Sequence, residues 1–261
     1  MFFSGFTLTT LMVNSTAWRL RSGGAGPALM LLHGRPETHA AWHAVAPAFT
    51  DTYSVICPDL HPELPPQRQA EDLLALATAM GHDRLILAGQ DAGAQIACQI
   101  AALAPERVAG VIALEALPGM NHIGRDDMAY SLAQYESCWF GQLHPKPEAG
   151  AVQTPPEWQG APGEQVSIFA PEAVADYTHM ALWPQSTSSY WPQGELSLQC
   201  PLLVLWGKAG RIGGWYDPPT LWREVAHGPV SGHALDASFF LTEEAPGEVR
   251  KAFEEFLPAL P

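Results

Sequence analysis

The sequence predicts an α/β protein whose central, mostly parallel β-sheet is covered by helices on both faces. Short apolar runs recur along the chain, each ending at turn residues, and helical patterns separate them. A third observation is the turn at residues 89–93, which joins a buried strand directly to a helix. In such sheets the functional residues lie at the carboxyl ends of the strands.

Five apolar runs predict the strands in chain order, at residues 28–32, 53–57, 85–88, 111–114 and 202–206. A helix is predicted at residues 70–80, where apolar side chains follow helical spacing. Another is predicted at residues 92–104, a small and apolar run that Pro105 ends. Residues 243–257 predict a closing amphipathic helix.

The segment at residues 119–194 has a different composition, with four tryptophans, many prolines and no strong strand pattern. We expect it to form a helical cap, with helices near residues 126–135 and 171–183. The core of the protein would then comprise residues 1–118 and 195–261.

Composition limits the function classes. The chain has 261 residues, of which 47% are hydrophobic, and 27 acidic against 13 basic side chains give a net charge of −14. This surplus would repel a phosphate backbone or an anionic membrane, so we expect no nucleic-acid or membrane partner. Cytoplasmic location is expected, because no signal peptide or membrane span is recognisable and the four cysteines lack metal-ligand spacing.

The most specific local motif is LILAGQDAGA at residues 85–94. A strand ending in Gly-x-Asp-x-Gly that turns into a helix is a nucleophile elbow, here with Asp91 at the nucleophile position. A carboxylate nucleophile suits attack on an sp³ carbon and formation of an ester. The simpler alternative is a helix-capping Asp91 without chemistry.

Two further motifs end neighbouring strands. In HGRP at residues 33–36, the backbone N–H of Arg35 would join that of Ala92 as an oxyanion-binding pair. The Arg35 side chain could pair with Asp91, hold a substrate oxygen or face solvent. Glu115 follows the strand after the elbow, from which an acid can reach the same crevice.

Together these residues resemble the α/β-hydrolase superfamily, and within it the haloacetate dehalogenase and epoxide hydrolase branch. The resemblance extends over nearly the whole chain. It includes LHGRPETHAAWH at residues 32–43, VICPDL at 55–60, CPLLVLWG at 200–207 and FLTEEAP at 240–246. It implies the α/β-hydrolase fold, with an eight-stranded, mostly parallel sheet and a helical cap, Asp91 as the nucleophile position and Glu115 as the acid.

Several family positions are changed. The family's two arginines that hold a substrate carboxylate are replaced by Ala92 and Gln95. In the cap, Glu136 and Ser137 stand where the family has residues that cradle the halide, next to Trp139. A carboxylate at that place would repel a departing halide.

The sequence can be aligned with the family's catalytic histidine in two ways. One makes His233 the base, since it follows Gly232; the favoured, ungapped one places Phe239 at the histidine position, immediately before FLTEEAP. A phenyl ring cannot accept a proton or activate water, so an ester formed at Asp91 would not be hydrolysed.

The leading hypothesis is therefore a cofactor-free and metal-free enzyme that performs acid–base chemistry without hydrolysis on a neutral or aromatic small molecule. Cyclisation, isomerisation, C–C bond formation and elimination, as in natural-product biosynthesis, are the candidate reactions. One alternative is an epoxide hydrolase or dehalogenase with His233 as the base, and another is a catalytically inactive binding protein. Assembly as a homodimer stays open.

Overall fold

A computed structural model describes residues 2–118, 168–181 and 196–261 of the chain. Its strands form one eight-stranded sheet. They are β1 (Thr7–Val13), β2 (Thr16–Gly23), β3 (Ala28–Leu32), β4 (Ser54–Pro58), β5 (Leu85–Gln90), β6 (Val108–Leu114), β7 (Leu202–Gly207) and β8 (Val230–Leu235).

The spatial order of the strands is β1-β2-β4-β3-β5-β6-β7-β8. Strands β1 and β2 pair antiparallel, and β2 pairs antiparallel with β4; all other neighbours are parallel. Because β3, β5, β6 and β7 run in one direction, the residues that follow them meet at one edge of the sheet. The predicted eight-stranded, mostly parallel sheet is confirmed.

The helices are α1 (Pro66–Ala79), α2 (Ala92–Leu103), α3 (Pro171–Ala181), α4 (Arg211–Trp215), α5 (Pro218–Arg223), α6 (Leu241–Glu244) and α7 (Pro246–Phe256). Short 3-10 turns lie at His39–Trp42, Ala46–Phe49, Pro105–Arg107 and Leu257–Ala259. The predicted closing amphipathic helix at residues 243–257 is confirmed as α7, which starts three residues later than predicted. The chain bends at Ala245, and Pro246 starts α7 as a new helix because it has no N–H to donate to a preceding turn.

Each face of the sheet carries its own apolar core. On one face α1 and α2 cover the sheet, and Trp18 and Trp222 are fully buried there. The opposite face is covered by α7 and the turns at residues 39–49, with Trp42 and Phe253 buried together. Tyr177 of α3 joins this second core, so α3 is attached to the same face of the sheet.

Helix α3 falls within the range predicted for a cap helix, residues 171–183. The other predicted cap helix, at residues 126–135, lies outside the described residues, and the division into core and cap stays a prediction. Across the described ranges, the helices are too short or too polar to traverse a lipid bilayer. Cys57, Cys98 and Cys200 are buried free thiols.

Candidate active site at the carboxyl edge of the sheet

Asp91 forms the sharp turn between β5 and α2. Its backbone has φ 48° and ψ −115°, in the left-handed half of conformational space that non-glycine residues avoid. The Asp91 N–H donates to the carbonyl of Leu114 at 2.9 Å, and the Asp91 carbonyl accepts from Gln95 N at 3.2 Å. Such a strained turn presents the side chain at the top of the sheet, as the elbow motif predicts.

Two glycines make this turn possible. A side chain at Gly93 would press against the backbone carbonyls of Leu32 and His33, and one at Gly89 would meet the backbone of Gly93. The start of α2 therefore crosses β3 at a distance that only glycine allows.

The carboxylate of Asp91 is held by the two predicted backbone donors. The N–H of Arg35 lies 3.4 Å from Asp91 Oδ2, and the N–H of Ala92 also donates to this carboxylate. Burial raises the pKa of Asp91, and the Arg35 charge and the two N–H groups oppose that shift. If Asp91 attacks an sp³ carbon, these donors would bind the acyl oxygen of the ester.

Glu115 follows β6 and also has a left-handed backbone, with φ 46°. Its side chain is buried, and its Oε1 accepts a hydrogen bond from the N–H of Gly207 at 2.5 Å. Burial raises the pKa of Glu115 to about 8; the Gly207 N–H opposes this shift, and the charges of Asp91 and Glu244 reinforce it. Glu115 is therefore largely protonated at neutral pH.

Phe239 belongs to a loop that lies beside Glu115. A side chain at Gly210 would meet both the carbonyl of Ser238 and Oε1 of Glu115, which places the loop at residues 238–240 next to this carboxyl group. Glu244 fixes the loop through its carboxylate, which accepts from the N–H groups of Ser238, Phe239 and Phe240 and from the Ser238 hydroxyl, over 2.7–3.1 Å.

The Phe239 ring packs edge-to-face on Phe240, with centroids 5.0 Å apart. Phe240 in turn meets Phe169, just before α3, also at 5.0 Å. The loop at the histidine position of the favoured alignment thus carries two aromatic side chains that pack on each other and on Phe169.

His233 does not reach this site. It stands within the edge strand β8, opposite Leu205, and its side chain is exposed. With Glu248, Lys251 and Glu255 of α7 it lines a shallow depression on the surface. Among the described residues, no hydrogen bond joins His233 to Asp91 or Glu115, and the choice between the two alignments stays a prediction.

The remaining predicted residues divide into two groups. Ala92 is buried at the start of α2, and Gln95 lies one turn further, with a buried Oε1 that has no hydrogen-bond partner among the described residues. Glu136, Ser137 and Trp139 lie outside the described residues.

The structure adds a buried acidic group that the sequence reading gave no role. The Glu37 carboxyl is completely buried, and its Oε2 accepts from the Gly34 N–H and from Gln90 Nε2, both at 3.2 Å. Burial, reinforced by the charges of Glu243 and Asp91, raises the pKa of Glu37 well above its usual range. The signal in the sequence is its position directly after HGRP.

Glu243 is a second buried acid, and it contacts helix α3. It accepts a hydrogen bond from the Tyr177 hydroxyl at 2.5 Å, and burial raises its pKa to about 7. Because Tyr177 belongs to α3 and Glu243 to α6, this contact ties the cap-side helix to the edge of the sheet.

One group of described residues, His39, Asp59 and Asp176, has the spacing of metal ligands. A guanidinium already neutralises it: Arg19 pairs with Asp59 at 2.7 Å and with Asp176 at 2.6 Å. His39 donates through Nδ1 to Asp59 at 2.8 Å, because its Nε2 accepts from Arg21. The group is therefore an ion-pair network that fixes α3 to the sheet.

Comparison with known proteins agrees with this architecture. Residues 27–143 match a family model described as the alpha/beta hydrolase fold. Fluoroacetate dehalogenase from Burkholderia sp is 25% identical over 98% of this chain and 95% of its own length. Soluble epoxide hydrolase from Corynebacterium sp. (strain C12) is 24% identical over 90% and 91%.

Solved structures give the same result. A candidate α/β hydrolase from Nostoc sp PCC 7120 superposes with a TM-score of 0.86 and 28% identity, covering 98% of this chain and 99% of its own. A candidate epoxide hydrolase from Pseudomonas aeruginosa superposes with a TM-score of 0.83 and 27% identity, covering 99% and 97%.

The chain is an α/β-hydrolase-fold protein. Its curated relatives include a fluoroacetate dehalogenase and several epoxide hydrolases, as the resemblance of the motifs predicted.

Proposed function

We propose that this protein is an enzyme that performs acid–base chemistry without hydrolysis on a neutral, hydrophobic small molecule, and that it needs no cofactor. Asp91 would act as the base, and Glu115, largely protonated at neutral pH, would act as its acid partner. The N–H groups of Arg35 and Ala92 would stabilise negative charge that develops at the reacting group.

The observation that carries this proposal is the loop beside Glu115. Hydrolysis through an Asp91 ester needs a base that removes a proton from water, and an imidazole serves this purpose in many hydrolases. Here Phe239 follows Ser238 next to Glu115, and His233 is exposed beside α7. Both facts favour a reaction in which water is not a reactant.

The charge of the site favours a neutral substrate. The site contains three acidic groups that act on one another, Asp91, Glu115 and Glu37. Ala92 and Gln95 stand where the family has two arginines that bind an anion. An anionic substrate would gain little from these residues, whereas Phe239 and Phe240 offer apolar contact. A reducing compartment such as the cytoplasm fits the buried free thiols.

The test uses purified protein and a panel of neutral hydrophobic compounds with acidic C–H bonds, incubated in D₂O. We expect a subset to isomerise, cyclise, eliminate or take up deuterium. Asp91→Asn should lower this rate by about 10³-fold or more, since the loss of a general base costs 10²–10⁴-fold. Asp83→Asn changes an exposed acid at the opposite end of β5 and should leave the rate unchanged.

Two results would contradict the proposal. Steady hydrolysis of an epoxide, an ester or fluoroacetate by the wild type would show that another group activates water. Full turnover by Asp91→Asn would remove Asp91 from the mechanism.

A further inference from the structure

Glu37 lies close to Asp91, across Gly34. The two side chains flank Gly34: the point where a Gly34 side chain would begin lies 2.9 Å from Glu37 Oε2 and 3.3 Å from Asp91 Cβ. Glu37 also accepts from the Gly34 N–H. Gly34 precedes Arg35, whose N–H binds Asp91, so Glu37 positions the backbone that holds this carboxylate.

One oxygen of Glu37 lacks a donor. Among the described residues, neither Glu37 Oε1 nor the amide oxygen of Gln90 has a hydrogen-bond partner, and both are buried. The same amide donates through its nitrogen to Glu37 Oε2. A proton on Glu37 Oε1 would complete a two-bond acid–amide pair with Gln90 and would satisfy both oxygens at once.

The surroundings of Glu37 also disfavour a negative charge. The groups that act on it are Asp91 at the elbow, Glu243 of α6 and the Tyr177 hydroxyl of α3, and each is either acidic or neutral. A buried carboxylate with one bare oxygen and two acidic neighbours is much less stable than the neutral acid.

We propose that Glu37 is a positioning residue that works as a neutral carboxylic acid: paired with Gln90, it fixes the Gly34–Arg35 backbone around Asp91 without placing a second negative charge beside it. A neutral Glu37 therefore does not raise the pKa of Asp91 further, which favours Asp91 as the base. Only this last consequence rests on the proposed function; the protonation state and the pairing do not.

The first experiment measures the proton by infrared difference spectroscopy of the full chain at pH 7. Wild type minus Glu37→Gln should show the carbonyl band of a protonated carboxylic acid, and wild type minus Glu248→Gln, an exposed control, should not. If the Glu37→Gln difference contains carboxylate bands instead, Glu37 is ionised and the proposal is overturned.

A second variant tests the pairing and does not depend on Glu37→Gln being folded. In Gln90→Met the acid loses its amide partner, so its carbonyl band should move to higher frequency while remaining present. A band at the wild-type position would contradict the acid–amide pair.

The last experiment follows Asp91 by its rate of esterification with phenacyl bromide, a neutral electrophile, as a function of pH. Because Gln and a neutral Glu carry the same charge, Glu37→Gln should leave the midpoint of the Asp91 profile unchanged. An ionised Glu37 would raise the Asp91 pKa, and its removal would then lower the midpoint by about one unit, a tenfold change in proton concentration. That shift would overturn the consequence for Asp91, even if no natural substrate is found.

Discussion

At the residue scale, the site contains two carboxylates on strained backbones. Asp91 and Glu115 have φ values of 48° and 46°, and a non-glycine residue in this region costs about 1–3 kcal/mol. Backbone hydrogen bonds to Leu114 and Leu205 hold them in place. Both residues follow neighbouring parallel strands and interact electrostatically, so the backbone sets their relative placement before a substrate arrives.

Because Phe239 cannot act as a base, we predict that an ester formed on Asp91 is stable enough to be trapped. A neutral electrophile such as phenacyl bromide should esterify Asp91, and the adduct should persist because the loop beside Glu115 supplies no base. Peptide mass spectrometry measures its lifetime, with Asp91→Asn as the unreactive control.

Phe239→His should shorten the lifetime of this adduct by at least tenfold, since general-base catalysis is typically worth 10²–10⁴-fold. Phe240→His places the same ring one residue further along the loop and serves as the matched control. An adduct that hydrolyses rapidly in the wild type would show that water is activated by another residue.

At the element scale, α3 is the described part of the region between β6 and β7 that touches the core. Asp176 pairs with Arg19 of β2 and accepts from the Thr38 hydroxyl at 2.7 Å, and Tyr177 donates to Glu243. These polar contacts join α3 to β2 and to α6. The aromatic contact between Phe169 and Phe240 lies next to them.

Asp176→Ala should loosen α3. Arg19 then keeps Asp59 alone as its ion-pair partner, and we expect the free energy of unfolding to fall by about 1–3 kcal/mol. Amide hydrogen exchange at residues 171–178 should rise more than elsewhere. Glu172→Ala removes an exposed acid from the same helix and should leave hydrogen exchange nearly unchanged. If the two variants had equal effects, the ion pair would not be what anchors α3.

At the scale of the whole molecule, the net charge of −14 is distributed unevenly. Asp59 is ionised, because hydrogen bonds from His39 hold its pKa well below its usual range despite its burial. Glu115, Glu243, Glu37 and Asp91 have raised pKa values because they are buried. Glu115 and Glu243 therefore hold protons at neutral pH that an unfolded chain would release.

This distribution predicts that stability falls as pH rises from about 6.5 to 8. The folded state binds more protons than the unfolded state up to the folded pKa values of about 7 for Glu243 and 8 for Glu115, so the stabilisation is lost through that window. The pKa of buried His33 is lowered to about 4, so it has the opposite effect, but mainly below pH 6.5.

Urea unfolding at several pH values checks this prediction. Glu115→Gln should flatten the slope between pH 6.5 and 8, because an amide neither binds nor releases a proton. Glu248→Gln, at an exposed position, should keep the wild-type slope. A stability that rises with pH over this window would contradict the assignment of protonated acids.

Much of the fold and part of the site can be predicted from the sequence. The buried strands at residues 28–32, 85–88 and 202–206 are continuous apolar runs, and the Gly-x-Asp-x-Gly turn fixes Asp91 between β5 and α2. The Arg35 and Ala92 donors and Glu115 follow, because residues that end parallel strands share one edge. These are local patterns, and local sterics and burial decide them.

Only the tertiary structure shows that His233 is exposed, that the loop carrying Phe239 lies beside Glu115 and that Glu37 is buried. His233 lies in a strand whose alternation of exposed and half-buried residues turns its side chain toward α7, and that depends on what packs against the sheet. Glu37 resembles a surface acid until Gly34, Gln90 and Glu243 surround it. The physical reason is that burial and electrostatic environment are created by segments distant in sequence, and these two properties set the charge that each carboxyl group carries.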